Sequence, residues 1–180
     1  MTPDFEPFAK IPRLRRDCVV TEKIDGTNGQ ILIQDDGSIY AGSRNQWCTE
    51  QDDPFGFARW VQANKDGLIA ELGVGRHYGE WWGSGIQRGY GLQHGDTRFS
   101  LFNTTRWAGT ALTICSVVPV LYDGSFDLVS VDDSMNLLKR EGSRAAPGFM
   151  RPEGVVVFHT AANMMFKQTI EKDEAYKGRP

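Results

Sequence analysis

Thr21-Glu22-Lys23-Ile24-Asp25-Gly26-Thr27-Asn28-Gly29 sets one lysine between two strand-like runs, Cys18-Val19-Val20 before it and Gln30-Ile31-Leu32-Ile33 after it. Asp25, Asn28 and the two glycines favour turn conformations, so the stretch reads as strand, tight turn, strand: a hairpin with Lys23 beside its bend. Backbone on both sides holds such a lysine in place, which a solvated helix face does not. Taken alone, an ordinary hairpin accounts for this peptide as well as a positioned nucleophile does. The rest of the chain has to decide.

Outward from this stretch, 180 residues with 40% hydrophobic and 11% aromatic composition suit one well-buried domain and are short for two. A formal net charge of -3 excludes a global basic field for holding nucleic acid. Any such contact has to be local, and Lys10, Arg13, Arg15 and Arg16 form the one dense basic arm, which reads equally as a nucleic-acid contact or a solvated segment. Cys18, Cys48 and Cys115 lack Cys-x-x-Cys spacing, fitting reduced thiols better than disulfides or zinc. The start Met1-Thr2-Pro3-Asp4 has no signal-peptide pattern and no run approaches membrane-spanning length, so a cytoplasmic protein is expected.

Along the chain, residues 38–44 read as a further strand. Asp53-Pro54 reads as a helix cap with proline in the first turn, opening an amphipathic helix with Phe57, Trp60 and Val61 inward that ends between Asn64 and Gly67. Strands are expected at 77–82, 98–103, 112–122 and 128–131, then a helix over 132–140 with Met135 and Leu138 facing in, stopped by Gly142. Residues 154–160 and 163–169 read as a closing antiparallel pair. Strands outnumber helices, so the fold class is α+β, mainly antiparallel sheets with flanking helices. The glycine-rich stretch 83–91 is the best candidate for a mobile loop near a site.

Several pieces carry chemistry. Gly79-Glu80-Trp81-Trp82-Gly83 places a carboxylate beside large aromatics, and Phe99-Ser100-Leu101-Phe102-Asn103 alternates rings in the following strand. Arg151-Pro152-Glu153-Gly154-Val155-Val156-Val157-Phe158 sets Glu153 at the mouth of a β-branched strand, where a fixed carboxylate is available to a hard cation. Arg44 follows the strand at 38–42, and Lys167 lies in the last strand. His77, His94 and His159 have no metal-like spacing.

Lys23-Ile24-Asp25-Gly26-Thr27-Asn28 resembles the nucleophile motif of the covalent nucleotidyltransferase superfamily of DNA ligases, RNA ligases and mRNA-capping enzymes, and its threonine and asparagine resemble the ATP-dependent RNA ligase family most. Gly79 to Gly83, the aromatic strand and Glu153-Gly154 resemble that superfamily's later motifs, and Lys23, Arg44, Glu80, Phe102, Glu153 and Lys167 occur in its order. The resemblance covers roughly residues 10–175 and implies a ligase adenylation domain over residues 1–180, with no C-terminal OB-fold or other accessory domain. It implies that Lys23 is the catalytic nucleophile, that Glu22, Ile24, Asn28, Arg44, Glu80, Phe102, Glu153 and Lys167 bind the nucleotide, and that Asp25, Glu80 and Glu153 face a metal. Phe102 would stack on the base, with Phe99 the alternative. The family's last motif usually carries two lysines two residues apart. Here Met165 or Thr169 stands where Lys167's partner would be, and Lys172 is the nearest further lysine.

The implied function is an ATP-dependent RNA ligase using ATP with Mg²⁺ or Mn²⁺. It would form a lysyl-AMP intermediate, pass AMP to a nucleic-acid 5′-phosphate and seal that end to a 3′-hydroxyl. Such a lysine attacks as the neutral amine, which burial or a neighbouring cation favours and Glu22 and Asp25 oppose. The substrate would be RNA or a nicked duplex, with Lys10 to Arg16, the domain surface or a partner protein recognising the ends. A DNA ligase with the same residues, a capping guanylyltransferase using GTP, and a non-catalytic end-binding module remain alternatives.

Overall fold

A computed structural model describes residues 3–171. Alternation along Asp17–Lys23 (β1) buries Cys18, Val20 and Glu22 on one face and turns Val19, Thr21 and Lys23 to the other. The expected hairpin does not form, because β1 and Thr27–Ile33 (β2) belong to different sheets. β1 lies between Val120–Ser125 (β7) and Gly154–His159 (β8), and Met164–Thr169 (β9) pairs with β8. β2 lies between Ile39–Gly42 (β3) and Gly75–Gly83 (β4), and the second sheet continues through Thr97–Leu101 (β5) to Ser116–Val117 (β6). Among the described residues every strand pairing is antiparallel except β5 with β6.

The reason for the crossing is burial of Ile24. A hairpin bend would leave that side chain in water, whereas here it is 3% exposed and packs with Trp82, Tyr90, Val118 and Ala146. Gly26 lets the chain pass tightly over β4: a Cβ at this position would lie 2.4 Å from the Trp81 carbonyl oxygen. Lys23 therefore stands at the seam between the sheets.

Each sheet covers one face with helices. Ile31, Ile33, Trp81, Phe99 and Leu101 of the second sheet pack against Phe57–Ala63 (α1) and Lys65–Leu72 (α2) through Phe57, Val61, Leu68 and Leu72. Cys18, Val20, Val155 and Val157 of the first sheet pack against Val131, Met135 and Leu138 of Leu128–Glu141 (α4). One further turn of helix, Thr104–Trp107 (α3), follows β5.

Several expectations are corrected. α1 ends at Asn64 as expected, where the side-chain amide donates to the Trp60 carbonyl at 2.8 Å, but an unexpected second helix, α2, starts at the next residue. Asp53 acts at a distance, through a one-turn 3-10 segment at Pro54–Gly56, accepting from the Ala58 and Arg59 amides at 2.6 and 3.1 Å. Residues 128–131, read as a strand from their apolar pair, are the first turn of α4, because Asp127 accepts from the Ser130 amide at 2.7 Å and caps it. Leu128 and Val129 remain exposed on that turn. The expected strand over 112–122 is divided at Pro119, and the amides of Thr113, Ile114 and Cys115 instead converge on the Glu71 carboxylate.

Met135 and Leu138 face inward as expected, β8 and β9 form the expected antiparallel pair, and the three cysteines are free. Among the described residues no helix is long and apolar enough to cross a membrane.

Candidate active site

β1 and β8 run antiparallel with Lys23 opposite Gly154, which brings Glu153, the preceding residue, to the end of the lysine side chain. The Glu153 carboxylate accepts from Lys23 Nζ at 2.5 Å across 130 residues of sequence. Both side chains keep partial access to solvent, 23% and 17% exposed. This pair is polar, reachable and fixed by strand register, which is what a reacting side chain needs.

The second sheet supplies the opposing wall. Asn28 faces Glu80 across β2 and β4. Glu80 accepts from the Gly26 amide at 3.0 Å and from the Asn28 side-chain amide at 3.4 Å, while Arg44 Nε donates to Asn28 Oδ1 at 2.9 Å. Burial pushes the Glu80 pKa up to about 7; Lys23 and the Gly26 amide oppose the rise, and Glu153 and Asp25 add to it. Glu80 therefore feels the charge of the Lys23 pair directly, and it exchanges its proton near neutral pH.

Phe102 follows β5, donating its amide to the Tyr78 carbonyl at 3.0 Å, which places it on the Tyr78 and Glu80 side of the sheet, where the residue is 37% exposed. Phe99 is fully buried against Phe57 and Trp60 and cannot receive a base. Lys167 lies opposite Val156 in β9, and the β1–β8–β9 register turns it to the face that carries Thr21 and Lys23. Met165 and Thr169 are its neighbours on that face, and Lys172 lies outside the described residues.

Three of the side chains expected at the site have other partners in the structure. Glu22 points away from Lys23 into the α4 side of β1, where it is 1% exposed and accepts from Ser143 Oγ, Arg144 N and Ala145 N at 2.6, 2.7 and 3.0 Å. Burial raises its pKa, and these three donors oppose the rise. The Ile24 side chain is core. The Asp25 carboxylate is held by Arg88 Nε at 2.8 Å and so is not a free metal ligand. Among the described residues no group of three or more acidic, histidine or cysteine side chains gathers closely enough to hold a metal ion. The basic arm is exposed and enters at the opposite end of β1, with Lys10, Arg13, Arg15 and Arg16 beginning roughly 20 Å of strand away from Lys23.

Sequence reasoning missed two residues in the glycine-rich stretch. Arg88 also donates to the Arg151 carbonyl at 3.2 Å and reaches Glu171 at 3.5 Å, tying the Lys23 turn to the Glu153 loop. Tyr90 is 2% exposed and its hydroxyl accepts from the Asp25 amide at 2.8 Å. The stretch adjoins the site as expected, but buried Ile86 and Tyr90 pin it down. A lone arginine and tyrosine among glycines were the available signal.

A family model described as RNA ligase matches residues 16–172. The chain belongs to the RNA ligase family. Among solved structures it is similar to an archaeal ATP-dependent RNA ligase, with 20% identity over 92% of this chain and 48% of that one and a TM-score of 0.63. It is also similar to a Naegleria gruberi RNA ligase variant with ATP and Mn, with 20% identity over 92% of this chain and 53% of that one and a TM-score of 0.62. A second Naegleria gruberi variant, with AMP and Mn, matches at 18% identity and a TM-score of 0.58 over 92% of this chain and 53% of that one. At such identities the likeness is one of fold, and this RNA ligase family member spans about half the length of the solved ligases it matches. No curated protein matches it in sequence.

Proposed function

We propose that this RNA ligase family member is an ATP-dependent RNA ligase in which Lys23 becomes covalently adenylated. The observation that carries the reading is the Lys23–Glu153 contact, which joins two distant segments at a reachable lysine facing Glu80. In the first step the Lys23 nitrogen bonds to the α-phosphorus of ATP while the bond to the bridging oxygen breaks and pyrophosphate leaves. Attack requires the neutral amine, and Glu153 is the oxygen base positioned to accept its proton. The lysyl nitrogen is then displaced by a nucleic-acid 5′-phosphate, and a 3′-hydroxyl displaces AMP from that end. Positioning and charge neutralisation provide most of the catalysis.

Phe102 offers a ring for the adenine, and Asn28 and Arg44 form a donor-rich rim on the second sheet. Lys167 supplies positive charge on the Lys23 face. Glu80 and Glu153 are two carboxylates within electrostatic reach of each other, which suits a divalent cation that keeps most of its coordination as water and phosphate oxygens. Bound there, Mg²⁺ or Mn²⁺ would neutralise charge developing on the phosphates.

Intact-protein mass spectrometry after incubation with ATP and Mg²⁺ tests this reading. The expected result is one AMP adduct that is absent in Lys23→Ala and absent with GTP. An unchanged mass would contradict the reading and favour the non-catalytic module, for which the lack of a second lysine beside Lys167 speaks. Sealing assays on nicked RNA, DNA and hybrid duplexes separate RNA from DNA ligase activity.

A further inference from the structure

The face of the second sheet that carries Asn28 and Glu80 continues away from the site. Register places Gln30 opposite Tyr78 and Leu32 opposite both Arg76 and Tyr40, so Gln30, Tyr40, Arg76 and Tyr78 project from the same side as Glu80. Trp47 reaches this side: a Cβ at Gly42 would meet its ring atom Cε3 at 3.0 Å, and its ring is tilted against that of Tyr40 with centroids 5.8 Å apart. The Arg76 guanidinium stands over the Trp47 ring at 5.3 Å and donates to the Gln30 side chain. Although large rings are ordinarily buried, Tyr40, Trp47 and Tyr78 are 44%, 43% and 55% exposed. The opposite face of the same strands holds the α1 and α2 core, so the exposure belongs to this face alone.

We propose that Tyr40, Trp47 and Tyr78, with Arg76 among them, form a stacking platform for two or three unpaired nucleotides of an RNA strand whose end reaches Lys23. Flat rings on an open antiparallel sheet accept splayed bases, which a duplex keeps stacked among themselves. An arginine stacked on a ring adds attraction for a phosphate chain. The platform is continuous with the proposed nucleotide site: Tyr78 is bonded to Phe102 through the backbone, and Arg76 lies four residues, roughly 13 Å, from Glu80 along β4. That span fits a few splayed nucleotides. A net charge of -3 makes such a local, ring-based contact the means by which this domain holds RNA without a basic field. The proposal rests on the ligase reading for the strand end at Lys23, while strand binding itself requires no adenylation.

The test is fluorescence anisotropy of a labelled, unstructured RNA strand of about a dozen nucleotides, and of the same sequence as a blunt duplex, with AMP-adduct formation measured on the same preparations. Trp47→Ala and Tyr78→Ala are each expected to weaken strand binding roughly 5- to 150-fold, the effect of losing one stacked base, and to leave adduct formation unchanged. Trp47→Phe and Tyr78→Phe are expected to restore most of the affinity. In the unaltered protein, RNA is expected to quench a component of tryptophan emission that is missing in Trp47→Phe, a readout that needs no destabilising change. Alanine variants that bind the strand like the parent, a duplex bound better than the strand, or no quench at Trp47 would overturn the proposal. So would unchanged RNA binding accompanied by altered self-association, which would make the face a protein contact. Absence of an adduct in every variant, with strand binding still dependent on Trp47 and Tyr78, would defeat the ligase reading and leave the platform standing.

Discussion

Glu80→Gln separates what the buried carboxyl does for chemistry from what it costs the fold. Burial lifts the Glu80 pKa from 4.5 to about 7, so the folded chain holds the proton more tightly than the unfolded one. The sign follows: the charged form opposes folding, with no effect below about pH 4.5 and a growing loss of stability as pH rises through about 7. Each tenfold gain in proton affinity is worth about 1.4 kcal/mol, so the full loss is about 3 kcal/mol, and water reaching the partly open site reduces it toward about 2 kcal/mol. Glutamine keeps an acceptor for the Gly26 amide and cannot ionise. Urea unfolding of both proteins at pH 5 and pH 8 is therefore expected to show the variant gaining about 2 to 3 kcal/mol relative to the parent between the two pH values. The variant is also expected to adenylate poorly. A stability difference that stays constant with pH would refute the reasoning, since it would mean that Glu80 does not titrate in the folded protein. Added Mg²⁺ is expected to narrow the gap at pH 8 if Glu80 faces the cation.

Gly26→Ala would drive a Cβ into the Trp81 carbonyl, and the strained seam should lower stability by about 1 to 3 kcal/mol and slow adduct formation, measured by thermal unfolding and by mass. Glu22→Ala leaves Ser143 and two amides without their buried acceptor, a loss of about 3 kcal/mol or more in denaturant unfolding, although this side chain does not reach the nucleotide. Arg88→Ala frees Asp25 and unties the Glu153 loop. Because that ion pair is partly solvated, stability should fall by only about 1 kcal/mol while the rate of adduct formation drops by a larger factor, read in a single-turnover time course.

Residue order along the chain was legible because each motif is local. Lys23, Glu80 and Glu153 could be picked out from their neighbours, and the α+β class followed from the alternating runs. What could not be read was which strand pairs with which. Asp25-Gly26 looks like a hairpin bend from composition, and only burial of Ile24 beneath Tyr90, 66 residues away in sequence, sends the two strands to separate sheets. The same limit explains Glu22 and Asp25. Both neighbour the lysine and so seemed to belong to its pocket, yet their partners are Ser143 and Arg88, supplied by distant loops. Apolar Leu128 and Val129 mimicked a strand because nothing in composition outweighs them except the Asp127 cap, which acts through two hydrogen bonds from Ser130.

The separation of 130 positions between Lys23 and Glu153 also orders the assembly of the site during synthesis. β1 must wait for β7 and β8, so a nascent or truncated chain ending before residue 153 can hold β2 to β5 and still have Lys23 on an unpaired strand. Under the proposed reaction, ATP would then meet a positioned Lys23 only after translation has passed the β8 codons.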